Sequence, residues 1–119
     1  MKFLVLMHAE DGAWPPEEHQ VALQESIDVC HDLHSKGQFV DAAPLEPRGA
    51  AAYLRVREGK PIISDGPYLE TKEHIGGYFL IDVASLDEAI AVAARLPGAR
   101  RGTAEIRQVM DVSGLPGRA

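Results

Sequence analysis

The residues best equipped for chemistry are concentrated in one short stretch of the chain, residues 64–78. Carboxyl, ammonium, imidazole, hydroxyl and phenol groups all occur there, between two apolar runs that are typical of strands. A hairpin turn needs only two residues, and a long polar connection in a small domain is more often functional than idle. The stretch therefore indicates where a site lies, without naming a reaction.

Asp65 is the first candidate, because it precedes Gly66-Pro67, a strong turn signal. Its carboxylate can brace the turn by accepting backbone N–H groups, or it can act as a general acid or base, and both interpretations stay open. Thr71 and Lys72 can hold an anionic or carbonyl-bearing substrate, or they can be ordinary surface residues. Tyr68 can form a wall of an apolar pocket.

The glycine pair Gly76-Gly77 opens a predicted strand, where glycine indicates close approach of another backbone or of a ligand. We therefore count both glycines as candidate substrate-binding residues. Trp14 is a second aromatic residue that could form a pocket wall, although aromatic side chains are more often part of the core.

Two histidines are candidate proton-transfer partners for Asp65. His8 ends the first predicted strand, and His19 lies near the start of the first predicted helix; each can be catalytic or merely structural. His31 and His34 are three residues apart on that helix, a spacing that can share a metal ion. No further ligand is clearly placed beside them, so we predict no metal site and no cofactor.

Composition limits the class of protein. A chain of 119 residues with 45% hydrophobic residues suits one domain, which we place at residues 1–112 with a loose tail at 113–119. The formal charge of −6 disfavours nucleic acid as a partner. No apolar run approaches the ~20 residues of a membrane span. The single cysteine, Cys30, cannot form an internal disulfide, so we predict a buried thiol and a cytoplasmic location.

Hydrophobic periodicity predicts two helices and six strands. Pro15-Pro16 with two following acids favours a helix start, and Gly37 favours its end. Ser85 and Glu88 form a capping box at the second helix, which we end at Pro97-Gly98. The predicted strands are residues 2–8, 38–45, 51–57, 61–63, 75–83 and 103–110.

The element order predicts an α+β fold: a ferredoxin-like split βαβ sandwich with an extra hairpin. Both helices have a single apolar face, so we expect them to cover one side of the sheet and leave the other side bare. An exposed apolar sheet face requires a partner. The economical solution is a homodimer packed sheet to sheet, and we expect a pocket between that bare face and the partner.

The central motif also resembles a known family. Asp65-Gly66-Pro67-Tyr68, Glu70-Thr71-Lys72-Glu73 and Ile75-Gly76-Gly77-Tyr78 are similar to the DGPF or YCII-related family, with tyrosine in place of the phenylalanine of the family name. The similarity extends over almost the whole chain, from Met1-Lys2-Phe3-Leu4-Val5-Leu6-Met7 to Glu105-Ile106-Arg107. The resemblance implies a dimeric α+β barrel of ferredoxin-like subunits.

The resemblance implies less about activity, since most members of the family have no established one. Some relatives are similar to isomerases or dehydrochlorinases of ring compounds, and others are associated with sigma factors. A histidine on the first helix paired with an aspartate is the dyad proposed for one branch, and His19 is its nearest counterpart here. We therefore expect a small, cofactor-free isomerase or lyase acting on an anionic or carbonyl-containing compound. The alternative is a non-catalytic ligand-binding or regulatory module linked to transcription.

Overall fold

The computed structural model of the protein describes residues 1–65 and 73–117, with the backbone alone at Asp65. The elements of these ranges are β1 (Lys2–Glu10), α1 (Pro16–Ser35), β2 (Phe39–Pro44), a 3-10 turn (Arg48–Ala50), β3 (Ala52–Arg57), β4 (Lys60–Asp65), β5 (Glu73–Asp82), α2 (Leu86–Ala94), α3 (Gly98–Arg101) and β6 (Thr103–Gln108). None of these helices is both long and apolar enough to cross a membrane.

Four strands form one antiparallel sheet in the order β2-β5-β1-β6, and β3 and β4 pair separately as a two-stranded sheet. Strands β1 and β5 are therefore central, as their apolar sequences predict. Each helix connects two parallel strands that have a third, antiparallel strand between them. This mixed α+β arrangement is compatible with a ferredoxin-like fold.

Local sequence signals place the helix ends where they were predicted. Proline stands at the first turn of α1, where its missing N–H costs nothing. Gly37 follows the helix with a φ of 70°, a conformation that favours glycine. At α2, the Ser85 hydroxyl accepts a hydrogen bond from the Glu88 N–H at 3.2 Å, and the Glu88 carboxylate accepts one from the Ala84 N–H.

The core lies between the helices and one face of the four-stranded sheet. Alternate residues Phe3 and Val5 of β1 and Ile81 of β5 are fully buried there, together with Leu33 and Leu96. The opposite face, called the open face below, consists of the other alternate positions, and its residues Leu4, Leu6, Tyr78 and Leu80 are only half-buried. Strand β1 is thus buried on one face only, as the one-sided apolar helices predict.

Three ion pairs join α1 to the segment that contains α2 and α3. Their acids are spaced seven residues apart on α1, which places them on one side of the helix. The pairs are Glu18–Arg101, Glu25–Arg100 and Asp32–Arg95, with nitrogen–oxygen distances of 2.5, 2.8 and 2.7 Å. We call this row the arginine ladder. It links the side chains of α1 to those of the segment that contains α2 and α3.

One sequence-based expectation about local structure was wrong. Gly98–Arg101 forms the short helix α3, where we predicted only the end of α2. In β3, Leu54 and Val56 alternate with polar residues, and these apolar side chains are 62% and 57% exposed. The alternation fixes which residues share a face, and a packing partner decides whether that face is buried.

Candidate functional site

A cleft of about 680 Å³ lies between α1 and the sheet. Its floor comes from β1, β2 and β5, and its outer wall comes from the side of α1 opposite the arginine ladder. The ladder and the cleft therefore lie on different sides of the same helix. We predicted the pocket on the bare side of the sheet, whereas this cleft lies on the helix side.

The cleft brings together every predicted site residue whose side chain the structure describes. His8, His19, Gly76 and Gly77 all line it. The other predicted site residues, Tyr68, Thr71 and Lys72, lie outside the described residues, and so does the side chain of Asp65. Their roles stay predictions.

Apolar side chains form most of the cleft surface, including Leu23, Ile27, Phe39 and Phe79. Trp14, which the sequence analysis named as a possible pocket wall, lines the cleft as well. The Arg101 guanidinium lies 4.5 Å from the centre of the Trp14 ring and donates a hydrogen bond to the Ala13 carbonyl oxygen. This cation–π contact fixes the loop before α1 as one wall of the cleft.

A β-bulge shapes the floor of the cleft. Met7 pairs with Gly77 and His8 with Ile75, so Gly76 is the extra residue of β5. A Cβ atom at Gly77 would stand 3.0 Å from the Ala43 carbonyl oxygen, whereas a Cβ atom at Gly76 would meet no atom within 4 Å. Bulges are common beside active sites. Close packing therefore accounts for Gly77 but not for Gly76, which has open space beside it.

The two candidate histidines occupy different environments. The His8 ring contacts the Glu105 carboxylate, with Nε2 and Oε1 2.9 Å apart, and strand alternation places both residues on the open face of the sheet. His19 is exposed on the first turns of α1, where its backbone N–H donates to the Pro15 carbonyl oxygen. His19 is therefore the better placed of the two to act on a molecule in the cleft.

Cys30, which we predicted as a buried thiol, is half-buried on the cleft side of α1. Burial raises the pKa of its thiol above the ordinary cysteine value, because a low-dielectric surrounding disfavours the thiolate. The protonated thiol is a weak nucleophile. Cys30 therefore contributes surface to the cleft.

His31 and His34 also line the cleft from the second half of α1. Both side chains are exposed, and among the described residues no group of three or more histidine, cysteine, aspartate or glutamate side chains is arranged to hold a metal ion.

A second cavity of about 540 Å³ adjoins the first and shares His8 with it. The His74 Nε2–H donates to Asp11 Oδ1 at 2.6 Å, and Arg48 Nε lies 3.7 Å from Asp11 Oδ2. His74 Nδ1 is buried and has no hydrogen-bond partner among the described residues. Asp11 and His74 are 63 residues apart along the chain, so the sequence alone does not indicate this contact.

The fold and the cleft together define a small α+β domain, compatible with the ferredoxin-like type, that has a ligand-sized, mostly apolar cleft. The chain belongs to the YCII-related domain family, whose model matches residues 1–113, which confirms the resemblance seen in the central motif. It is 38% identical over 106 residues to an uncharacterized protein of Rhizobium meliloti (strain 1021), covering 87% of this chain and 86% of the relative. These comparisons identify a family of uncharacterized function and assign no activity.

Proposed function

We propose that the protein is a cofactor-free enzyme of isomerase or lyase type, acting in the cytoplasm on a small carbonyl-containing compound bound in the cleft. The observation that carries this proposal is the convergence of His19, Gly76 and Gly77 on one cavity of about 680 Å³. A cavity of this size suits a small organic ligand.

The composition of the cleft supports a particular kind of substrate. Its surface is mostly apolar, so a ligand would be largely apolar and would carry few polar groups. The basic groups among its lining residues are histidines, which favours a carbonyl-bearing ligand over a strongly anionic one.

In the proposed reaction, His19 removes a proton from the carbon next to the carbonyl group. The C–H bonding pair is delocalised toward the carbonyl oxygen as an enolate, and His19 holds the proton. If the substrate has a double bond between its β and γ carbons, the enolate is a dienolate, and return of the proton to the γ carbon shifts the double bond and completes an isomerisation. If the β carbon bears a leaving group, its departure with the bonding pair forms a double bond between the α and β carbons and completes an elimination. We propose Asp65 as the partner of His19, either orienting its ring by a hydrogen bond or accepting its proton.

The proposed assembly is a homodimer formed through the open faces of two sheets, the dimeric barrel that the family resemblance implies. Support comes from the half-buried apolar residues Leu4, Leu6 and Leu80 on that face. Such a surface gains stability when a partner removes it from water.

The activity can be tested before the substrate is known. A carbon acid that the enzyme deprotonates exchanges hydrogen for deuterium in D₂O, and mass spectrometry detects the exchange across a panel of small ketones, lactones and aromatic carbonyl compounds. Trp14 is the only tryptophan of the chain and lines the cleft, so its fluorescence reports binding of each compound independently of turnover.

His19→Gln is expected to reduce the exchange rate by about 10²- to 10⁴-fold, the usual contribution of a general base, while leaving binding nearly unchanged. His74→Gln is the matched control, since His74 does not line the cleft, and it should exchange at the wild-type rate. If the wild-type protein binds compounds but catalyses no deuterium exchange, the ligand-binding alternative is correct and the enzyme proposal is wrong. If it shows neither binding nor exchange, the cleft is not the functional site.

A further inference from the structure

The second cavity, of about 540 Å³, takes no part in the reaction proposed above, although its volume suits a small molecule. Its described walls are His8 of β1, residues 73–75 of β5 and residues between 45 and 53. All of these walls come from one chain, so the cavity is formed within a single subunit.

Two histidines line this cavity, and each has its Nε2 atom on a carboxylate. His8 Nε2 lies 2.9 Å from Glu105 Oε1, and His74 Nε2 lies 2.6 Å from Asp11 Oδ1. An ionised carboxylate only accepts hydrogen bonds, so Nε2 carries the proton and Nδ1 of the uncharged ring has a lone pair. The Nδ1 atom of His74 is buried, whereas the His8 side chain is 24% exposed and no described residue makes a hydrogen bond to its Nδ1. His8 Nδ1 is therefore the acceptor that a ligand can reach.

Strand register explains why the His8 ring is held in this position. His8 pairs with Thr103 of β6, so Glu105 is its diagonal neighbour on the same face, within reach of a long side chain. On its other side, His8 stands opposite Ile75, directly beside the bulge at Gly76, and bulges re-aim neighbouring side chains. A ring that is already fixed loses little conformational freedom when a ligand binds to it.

The charges of the cavity indicate the class of ligand. Its described lining has one arginine, Arg48, and two acids, Glu46 and Glu73. Arg48 Nε already lies 3.7 Å from an Asp11 carboxylate oxygen, and both Glu73 carboxylate oxygens accept from the Thr103 hydroxyl. An anionic ligand would therefore meet more negative than positive charge. The apolar residues of the lining, which suit an apolar ligand body, are Leu45, Pro47, Ala50, Ala51 and Ile75.

We propose that the second cavity is a separate binding site for an uncharged small molecule with an apolar body and a hydroxyl group, such as a phenol. The ligand hydroxyl donates a hydrogen bond to His8 Nδ1. Glu105 is a positioning residue, because it holds the proton on Nε2 and so leaves Nδ1 as the acceptor. The inference is independent of the proposed reaction, since it concerns binding in a different cavity.

Phenol and its methyl ether, anisole, are matched probes, because both have the same apolar ring and only phenol can donate a hydrogen bond. NMR titration of the whole chain in mildly alkaline buffer, where an ordinary imidazole is uncharged, measures both affinities. The backbone amides of Ala50 and Ala51 report the second cavity, and those of Leu23 and Ile27 report the cleft. Phenol is expected to shift the Ala50 and Ala51 signals with a dissociation constant about five- to tenfold lower than that of anisole, the usual net effect of one hydrogen bond.

His8→Phe keeps an aromatic ring and removes the acceptor. It leaves no buried charge unpaired, because the Glu105 side chain is 41% exposed and also lies 3.8 Å from Arg107 Nε. The preference for phenol over anisole should therefore disappear in this variant. His74→Phe is the matched control, since it changes the other carboxylate-bound histidine of the same cavity, and it should keep the preference.

Glu105→Gln tests the positioning role. A glutamine amide can donate to Nε2 as well as accept from it, so the His8 ring can then carry its proton on either nitrogen. The nitrogen chemical shifts of this ring should show a proton on Nε2 in the wild-type chain and a mixture of tautomers in the variant, and the preference for phenol should fall at least about twofold. A wild-type ring with its proton on Nδ1 would overturn the assignment.

The remaining outcomes also decide the inference. Equal affinity of the wild-type chain for phenol and anisole would overturn it, as would a preference that survives His8→Phe or is lost in a folded His74→Phe protein. Phenol that shifts the amides of Leu23 and Ile27 but leaves those of Ala50 and Ala51 unchanged up to about 50 mM, well above the millimolar affinity expected of so small a ligand, would exclude the second site and leave the proposed reaction in the cleft untouched.

Discussion

At the scale of single residues, the two neighbouring glycines of the bulge have different reasons to be glycine. Gly77 has the Ala43 carbonyl oxygen 3.0 Å from the position of a Cβ atom, whereas Gly76 has open space. Neither has a positive φ, so backbone conformation does not explain the choice. Ligand access to the cleft remains as a reason for Gly76, and close strand packing is sufficient for Gly77.

This difference gives a paired prediction. Gly77→Ala should lower the free energy of unfolding by about 1 to 2 kcal/mol, since overpacking forces β2 to move. Gly76→Val should change it by less than about 0.5 kcal/mol and should abolish the change in Trp14 fluorescence that ligands cause. Chemical denaturation measures the first quantity and fluorescence titration the second. A Gly76→Val variant that binds ligands like wild type would remove Gly76 from the site.

At the scale of elements, α1 presents three different sides. The arginine ladder lies on one side and the cleft on another, with the buried stripe of Ala22, Val29 and Leu33 between them. Exposed ion pairs each contribute little to stability, so the buried stripe is what anchors this helix of 20 residues to the core.

The ladder predicts a dependence on acid pH. A hydrogen bond from Arg95, followed by one from Lys36, lowers the pKa of Asp32, and a hydrogen bond from Arg101 lowers the pKa of Glu18. A carboxyl whose pKa is lower in the folded state stabilises the fold above its unfolded pKa, about 4, and that stabilisation is lost as pH falls through the folded value.

The melting temperature of the wild-type protein should therefore fall between about pH 4 and pH 2. The Glu18→Gln, Asp32→Asn double variant should melt lower than wild type at pH 7 and should lose less on acidification. Calorimetry over this pH range measures both curves. Parallel curves for the two proteins would show that the ladder does not contribute to acid stability.

At the scale of the whole molecule, one face of the sheet carries the helices and the other carries half-buried apolar residues. The open face is not purely apolar, because Tyr78 donates a hydrogen bond to Asp41 and His8 contacts Glu105. The hydrogen bond to Asp41 raises the pKa of Tyr78 above the ordinary tyrosine value. Polar pairs of this kind can fix the register of two facing sheets.

The open face yields a prediction about assembly. Leu6→Glu should convert a dimer to a monomer at micromolar concentration, because the change places a charge in the centre of the proposed interface without a partner. Light scattering measures the mass, and circular dichroism checks that the variant is folded. Glu105→Gln is the comparison variant, because it changes a residue that pairs with Leu6 on the open face without adding a charge, and it should weaken association far less. A folded, fully dimeric Leu6→Glu protein would exclude the open face as the interface.

Much of the fold could be predicted because its signals are local. Proline at the start of α1, Gly37 at its end and the Ser85 capping box each act within a few residues. The bulge at Gly76 and the short helix α3 were missed, since both depend on the fit between distant segments. Gly102 illustrates this: a Cβ atom there would overlap the His8 carbonyl oxygen, which only the folded chain brings close.

The sequence by itself determined the order of the elements, the one-sided apolar helices, the family motif and the types of group available for chemistry, because periodicity, capping and residue type are properties of short segments. The tertiary structure alone decided that the cleft opens on the helix side of the sheet, that His74 pairs with Asp11, and that Leu54, Val56 and Ile63 are exposed. Those outcomes depend on which segments meet across the fold, and no local rule of sequence contains that information.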